Sequence, residues 1–220
     1  MIPKYSILFT MLICILLTAN SAGQNNYQKD AKFQKYLFYL HGAIVQEQGI
    51  NAVSEEFGRY EYSAIIDTLN NYGYKIISEV RPKHTVITDY AHKVSRQIDS
   101  LILHGTPPEN IIVVGASQGA YITIEIAYLQ KDAKVNYVLM ALCNDYNINF
   151  YLKYKDALCG NWLSIYESSD QKLSCQNLLI SANCKSGFKE LALSMGNGHG
   201  FIYRPYKEWI YPLINWIEHK

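Results

Sequence analysis

The sequence lacks any run of basic residues, and its charges almost cancel, with 20 lysines and arginines against 19 aspartates and glutamates. Proteins that bind nucleic acid through its phosphates carry a basic patch, so this balance argues against nucleic acid as a partner. The sequence also has no internal repeat and no low-complexity segment, so a repeat architecture is not expected. The 220 residues, 49% of them hydrophobic, are enough for one domain with a sizeable hydrophobic core and too few for two domains of ordinary size.

The sequence has no apolar run long enough to span a membrane. The stretch at residues 7–17, interrupted only by Thr10, falls short of the roughly 20 residues that a spanning helix needs. Lys4 precedes it and small residues follow at 19–23, which is the three-part pattern of a secretory signal peptide. The sequence therefore predicts an exported protein, periplasmic or secreted, with residues 1–23 as signal peptide and no stable membrane anchor after cleavage. The cut is predicted after Ser21, Ala22 or Gly23.

No two cysteines are closely spaced, and none belongs to a cluster with histidine. Zinc sites use such spacings, so no metal is expected. Four cysteines remain beyond the signal peptide, an even number in an oxidising compartment, and one or two disulfides are expected. They are Cys143, Cys159, Cys175 and Cys184, for which three pairings are possible.

Beyond a polar segment at residues 24–35, predicted to be a flexible tail, strand-like and helix-like segments alternate through a single domain at residues 36–220. Strands are predicted at residues 36–40, 74–80, 111–114, 135–142, 162–166 and 190–195. Helices are predicted at residues 61–70, 87–103, 120–129 and 205–218, with weaker or partial helix at 145–158 and 170–181. This pattern is typical of an α/β protein with a mostly parallel six-stranded sheet and helices on both faces. In such sheets the working residues gather beyond the carboxyl ends of the strands.

One stretch carries a specific chemical signal. Four β-branched residues at 111–114 lead into Gly115-Ala116-Ser117-Gln118-Gly119, a Gly-x-Ser-x-Gly pattern that a helix-compatible segment follows. A strand, a tight turn and a helix in this order expose a serine oxygen at the end of a buried strand. The turn strains Ser117 and requires neighbours without bulk, which Gly115 and Gly119 provide. The start of the helix offers free N–H groups, including that of Gln118, to a negative charge on a substrate carbonyl.

A serine nucleophile needs a histidine base, and the base needs an acceptor that fixes its tautomer. The histidines downstream of Ser117 are His199 and His219. His219 is the penultimate residue, whereas His199 lies in the glycine-rich segment 195–201 just after a predicted strand. His199 is therefore predicted to be the base.

The acid that would orient this histidine has three candidates. Asp170 lies beyond the end of the predicted strand at 162–166, where a carboxylate on a loop can reach back to a histidine. Glu167 is closer to that strand and is the first alternative, and Asp145, beyond the preceding strand, is the second. The order of the residues along the chain favours Asp170.

The order Ser117, Asp170, His199, together with the turn at Ser117 and the alternating elements, resembles the α/β-hydrolase family over residues 36–218. The resemblance implies a serine hydrolase with a Ser-Asp-His triad that cleaves a small or medium acyl ester through an acyl-enzyme intermediate, without cofactor or metal. A peptidase, an amidase or an acyltransferase with the same triad, or a non-enzymatic binding protein on this fold, are the alternatives. The family's first strands are missing and no large insertion follows residues 135–142, which implies a small, largely lidless hydrolase with an open cleft.

Further site residues follow from the resemblance. His41-Gly42 matches the family's His-Gly turn, in which a following N–H, here that of Ala43 or Ile44, joins the N–H of Gln118 in the oxyanion hole. His41 is then structural.

Two side chains are predicted near the substrate. Arg81 ends a predicted strand beside this turn and would meet an anionic part of a substrate, with a surface salt bridge as the alternative. Tyr60, in the aromatic stretch 57–62, would line an aromatic cleft, with packing as the alternative.

Overall fold

The centre of the protein is a six-stranded sheet in which every neighbouring pair of strands is parallel, as a computed structural model of residues 34–132 and 134–219 shows. The predicted signal peptide and most of the predicted tail lie outside these described residues. The eight strands of the described residues are β1 (Tyr36–Leu40), β2 (Val53–Ser54), β3 (Gly58–Arg59), β4 (Lys75–Ile77), β5 (Ile111–Ala116), β6 (Asn136–Met140), β7 (Gly160–Glu167) and β8 (Lys185–Leu193). The sheet has the order β4-β1-β5-β6-β7-β8, and β2 and β3 form a separate antiparallel hairpin. The predicted sheet is therefore confirmed.

Seven α-helices surround the sheet in the described part of the chain: α1 (Ala43–Gln48), α2 (Tyr62–Asn70), α3 (Ile87–Leu103), α4 (Gln118–Gln130), α5 (Asp145–Tyr151), α6 (Gln176–Ile180) and α7 (Lys207–Glu218). Short 3-10 segments occur at Pro108–Asn110, Leu152–Ala157 and Gly198–Ile202. None of the described helices is long and apolar enough to cross a membrane. The predicted helix at 145–158 is thus an α-helix continued by a 3-10 segment, and α1 is an element that the sequence did not predict.

Two hydrophobic cores lie on opposite faces of the sheet. Because successive side chains of a strand point to opposite faces, Phe38 and Val113 join the core that α3 and α4 cover, whereas Leu37 and Val114 join the core that α2 and α7 cover. Every residue of β5 is buried, which explains its unbroken apolar sequence.

The two edge strands differ most from their predicted limits. Strand β8 begins at Lys185, five residues before the predicted start, and most of its residues are partly or fully exposed. Strand β4 is restricted to three residues, none of them fully buried. Edge strands face water and carry polar residues, so their sequences lack the apolar runs that marked the central strands.

Two disulfides fasten the chain after β6 and β7. They join Cys143 to Cys175 and Cys159 to Cys184, which selects one of the three pairings that the sequence allowed. Two disulfides are consistent with a protein that folds in an oxidising compartment.

Candidate active site

The turn at Ser117 has the strained geometry that its sequence predicts. Ser117 has φ 52° and ψ −114°, a conformation that residues with a side chain rarely adopt. A Cβ on Gly119 would overlap the carbonyl oxygen of Leu40, and a Cβ on Gly115 would overlap that of Gly119. The N–H of Ser117 donates to the carbonyl of Met140 at the end of β6, at 2.9 Å. The first turn of α4 therefore packs directly against the ends of β1 and β5, and the serine side chain stands at the carboxyl edge of the sheet.

The three residues predicted as a triad form a continuous hydrogen-bonded chain. The Nε2 atom of His199 lies 2.9 Å from the Oγ atom of Ser117, and its Nδ1 atom lies 2.8 Å from Oδ2 of Asp170. A carboxylate can only accept a hydrogen bond, so Nδ1 carries the proton and Nε2 accepts from the serine hydroxyl. The Asp170 side chain is 5% exposed and that of His199 is 24% exposed. The imidazole of His199 is thus reachable from solvent, whereas the carboxylate of Asp170 behind it is shielded.

The two alternative acids are placed differently. The carboxylate of Glu167 is fully buried and accepts from the backbone N–H of Met195 at 2.8 Å and from the hydroxyl groups of Ser168 and Ser169 at 3.3 Å. Asp145 is exposed in the first turn of α5. Among the described carboxylates, the one within salt-bridge distance of His199 is that of Asp170.

Glu167 instead joins the segment that carries Asp170 to the segment that carries His199. Its contacts reach Ser168 and Ser169 after β7, and Met195 after β8. A second bond between the same segments runs from the N–H of Gly198 to Oγ of Ser169, at 3.0 Å. Glu167 therefore holds the two loops together, a role that the sequence analysis did not assign to it.

The disulfide between Cys143 and Cys175 fastens the far end of the acid loop. The N–H of Leu173 donates to the carbonyl of Cys143 at 2.6 Å, so the segment after Asp170 is attached to the segment after β6 both covalently and by its backbone. Cys143 follows β6 and Cys175 follows Asp170 at the same edge of the sheet. The sequence left all three pairings open, and the structure gives this one.

The predicted oxyanion donors lie at the starts of two helices next to Ser117. Helix α1 begins at Ala43, with Ile44 second, and α4 begins at Gln118, and the first N–H groups of a helix have no acceptor within it. A Cβ built on Gly42 would lie 3.5 Å from the Cβ of Ser117, so this turn borders the nucleophile. Ala43 is exposed, whereas Ile44 is partly buried.

Burial corrects the two predictions about substrate-contacting side chains. Arg81 is 1% exposed and donates to the carbonyl of His41 and to the side chains of Gln46 and Gln118, so it is neither a surface cation nor a surface salt bridge. Tyr60 is fully buried, and its hydroxyl lies 2.7 Å from that of Tyr39. Tyr60 therefore packs in the core and does not line a cleft.

His41, for which a structural role is predicted, is buried beside Arg81 and hydrogen-bonded within the turn. Its Nε2 atom accepts from the backbone N–H of Arg81 at 3.0 Å, which leaves Nδ1 to donate to the carbonyl of Gly42 at 2.8 Å. Burial, and then the positive charge of Arg81, lower the pKa of His41 to about 4. His41 is therefore neutral near pH 7.

Phe57 is a residue at the site that the sequence analysis did not single out. It lies between β2 and β3, in the long connection from β1 to α2, and long connections in compact domains are often functional. Its ring centroid is 6.4 Å from that of His199, and a Cβ on Gly200 would come within 2.9 Å of the ring. The hairpin thus packs against the histidine loop, and Gly200 leaves the room for it.

Neither of two cavities near α3 touches the triad. Their volumes are about 50 and 390 Å³, and both are lined by Glu79 and Tyr90 but not by Ser117 or His199. In the described residues, no group of three or more histidines, cysteines, aspartates or glutamates is placed to hold a metal.

Solved structures resemble this chain over most of its length. A monoacylglycerol lipase from Paleococcus ferrophilus shares 12% identity at a TM-score of 0.58, over 86% of this chain and 97% of the lipase. SOBER1 from Arabidopsis thaliana shares 13% identity at a TM-score of 0.53, over 84% of this chain and 98% of its own. The thioesterase domain from the curacin biosynthetic pathway shares 14% identity at a TM-score of 0.51, over 85% of this chain and 92% of the domain.

These proteins are α/β-hydrolases, and the chain therefore has the α/β-hydrolase fold that its sequence resembles. No protein-family model and no curated protein matches the chain. At such identities the likeness concerns the fold alone, and the chemistry depends on the residues of the site.

Proposed function

We propose that this protein is a serine hydrolase that cleaves a small or medium acyl ester through an acyl-enzyme intermediate. The observation that carries the proposal is the hydrogen-bonded chain from Ser117 through His199 to Asp170, with contacts of 2.9 and 2.8 Å. A fold shared with proteins named as a lipase and a thioesterase supports hydrolysis of esters in general.

The contacts suit each proton transfer of such a reaction. As the Oγ atom of Ser117 attacks the ester carbonyl, its proton passes to Nε2 of His199, and Asp170 stabilises the imidazolium that forms. Collapse of the tetrahedral intermediate breaks the bond to the alcohol, which takes that proton and leaves an acyl group on Ser117. Water then attacks the acyl group by the same steps and releases the acid and the free serine.

The negative charge of each tetrahedral intermediate would meet backbone N–H groups. Gln118 supplies one, and Ala43 or Ile44 supplies the second. One such donor is typically worth about 10²–10³ in kcat. Because these donors belong to the backbone, no cofactor or metal is needed.

We also propose that the protein is exported and is either periplasmic or secreted. Two disulfides among the described residues and the apolar segment with small residues after it support this location. The partner of the site would be a small acyl substrate.

The test is hydrolysis of p-nitrophenyl acetate, butyrate, octanoate and laurate by the mature protein. We expect turnover of the shorter esters with an initial burst of p-nitrophenol, which marks acyl-enzyme formation. Ser117→Ala should lose the burst and the turnover, whereas Ser63→Ala, at an exposed serine of α2, should retain both.

Two outcomes would change the proposal. Turnover of amides or thioesters in place of esters would leave the triad and change the substrate class. Folded wild-type protein that turns over none of these compounds would favour the binding-protein alternative.

A further inference from the structure

Arg81 is a buried cation with no anion beside it. It is 1% exposed, and within the described residues none of the four ion pairs includes it. Its Nη1 atom has no hydrogen-bond partner there, and the ring of Tyr90 lies 5.5 Å from the guanidinium carbon. Burying an ion without a counter-ion is unfavourable, and an apolar side chain would fill the space at lower cost. Packing alone therefore does not explain an arginine here.

The guanidinium connects the two segments that would supply the oxyanion donors. Its Nη2 atom donates to the carbonyl of His41 at 2.6 Å and to Oε1 of Gln118 at 3.0 Å. Its Nε atom donates to Oε1 of Gln46, on α1, at 3.1 Å. One side chain thus fixes the turn after β1 and the start of α1 relative to the start of α4.

The same residue also orients the peptide group that carries one donor. The backbone N–H of Arg81 donates to Nε2 of His41, so Nδ1 of His41 carries the proton and donates to the carbonyl of Gly42. The peptide that joins Gly42 to Ala43 is planar and trans, so its N–H points opposite to its carbonyl. Fixing the Gly42 carbonyl therefore fixes the direction of the Ala43 N–H.

We propose that Arg81 is a positioning residue of the oxyanion hole: its guanidinium holds the Ala43 and Gln118 segments at a fixed separation and places behind them a positive charge that has no carboxylate partner among the described residues. The proposal rests on the proposed function of Ser117. A fixed charge in a dry environment acts on the anionic transition state more than on the neutral ester. Arg81 should therefore raise kcat and leave KM almost unchanged.

The experiment measures kcat and KM for p-nitrophenyl acetate, and Ki for phenylboronic acid, which forms a charged tetrahedral adduct on an active serine. We expect Arg81→Met to lower kcat by about 100-fold and to raise Ki by a similar factor, with KM within about twofold. Arg81→Lys keeps the positive charge but lacks the planar, forked set of guanidinium donors. Its kcat should be about tenfold higher than that of Arg81→Met. Arg96→Gln, at an exposed arginine of α3, is the control and should match wild type.

Each outcome decides the proposal. An active wild type with folded Arg81→Met within about threefold in kcat would overturn the role of Arg81 and leave the proposed function intact, whereas an inactive wild type would overturn both. If Arg81→Met does not fold, Gln118→Met tests the proposal instead. It removes the side-chain oxygen that accepts from the guanidinium of Arg81 and keeps the backbone N–H of residue 118. We expect about a tenfold loss in kcat at unchanged KM, and an unchanged kcat would overturn the proposal.

Discussion

The two sides of Ser117 are held in place by different kinds of interaction. On the side of the turn, α4 meets the end of β1 so closely that Gly119 has no room for a Cβ beside the Leu40 carbonyl. On the side of the base, Asp170 and His199 lie on separate loops joined by Glu167, by the bond from Gly198 to Ser169 and by a disulfide. Ser117 is thus fixed by backbone packing, whereas Asp170 and His199 are fixed by side chains.

This difference tells which substitutions should damage folding and which should damage chemistry. Overlap with the backbone cannot be relieved by a rotamer change, so substitutions on the turn side should act on stability first. Side-chain bonds between loops can be lost one at a time, so substitutions on the acid and base side should act on activity more than on stability.

The largest effect is expected for Asp170→Asn. The amide keeps the shape but would favour the wrong tautomer of His199, and the loss in kcat should be about 10⁴-fold with little change in the free energy of unfolding. Ester kinetics and urea unfolding measure the two quantities. Asp145→Asn, at an exposed position of α5, is the control and should keep wild-type activity. A loss below tenfold for Asp170→Asn would mean that another group orients His199.

Gly119→Ala should have the largest effect on stability. The added Cβ overlaps the Leu40 carbonyl, and we expect a loss of about 4 kcal/mol or failure to fold, although alanine is the better helix former by about 1 kcal/mol. Gly42→Ala is the matched control, because its Cβ would meet its neighbours at ordinary contact distances. Equal unfolding midpoints in urea for the two variants would contradict the packing argument.

The two disulfides should separate stability from activity. Removing either one, as Cys143→Ser with Cys175→Ser or as Cys159→Ser with Cys184→Ser, should cost about 3 kcal/mol, because the loops that they close are similar, at 32 and 25 residues. Only the first pair is attached to the loop of Asp170, so only that double variant should also lose kcat. Thermal unfolding and ester kinetics at a temperature where both variants are folded would show the difference. An equal loss of kcat in both would contradict it.

The smallest expected effect concerns pH on the side of the turn. The pKa of His41 is about 4 in the folded protein and near 6.5 when unfolded. The unfolded chain therefore binds the extra proton first, and the free energy of unfolding should fall by about 2–3 kcal/mol as pH drops from 6.5 to 4. Urea unfolding of wild type and His41→Gln should show that this part of the pH dependence is absent in the variant. His92→Gln, at an exposed histidine, should retain it.

The turn at Ser117 could be predicted from the sequence because its causes are local. Gly115, Ser117 and Gly119 lie within five residues, between a strand and a helix that both have clear apolar patterns. The central strands could be predicted for the same reason, since burial on both faces leaves an unbroken apolar run.

The surroundings of the triad could not be predicted because their causes are distant in sequence. Arg81 is buried by contacts with residues 41, 46 and 118, and nothing near residue 81 distinguishes it from a surface arginine. Glu167 is the last residue of β7, and Asp170 follows it by three residues. Which one faces His199 depends on Met195, whose N–H binds Glu167 and keeps it turned away.

The most direct test of the account is labelling of the mature protein with a fluorophosphonate, followed by mass spectrometry of the peptides. We expect one adduct, on Ser117, because the imidazole of His199 is in place to accept the proton of this hydroxyl. Labelling should disappear in Ser117→Ala and in His199→Ala and persist in Ser63→Ala. Folded wild-type protein that takes no label, or takes it on a serine other than Ser117, would contradict the account.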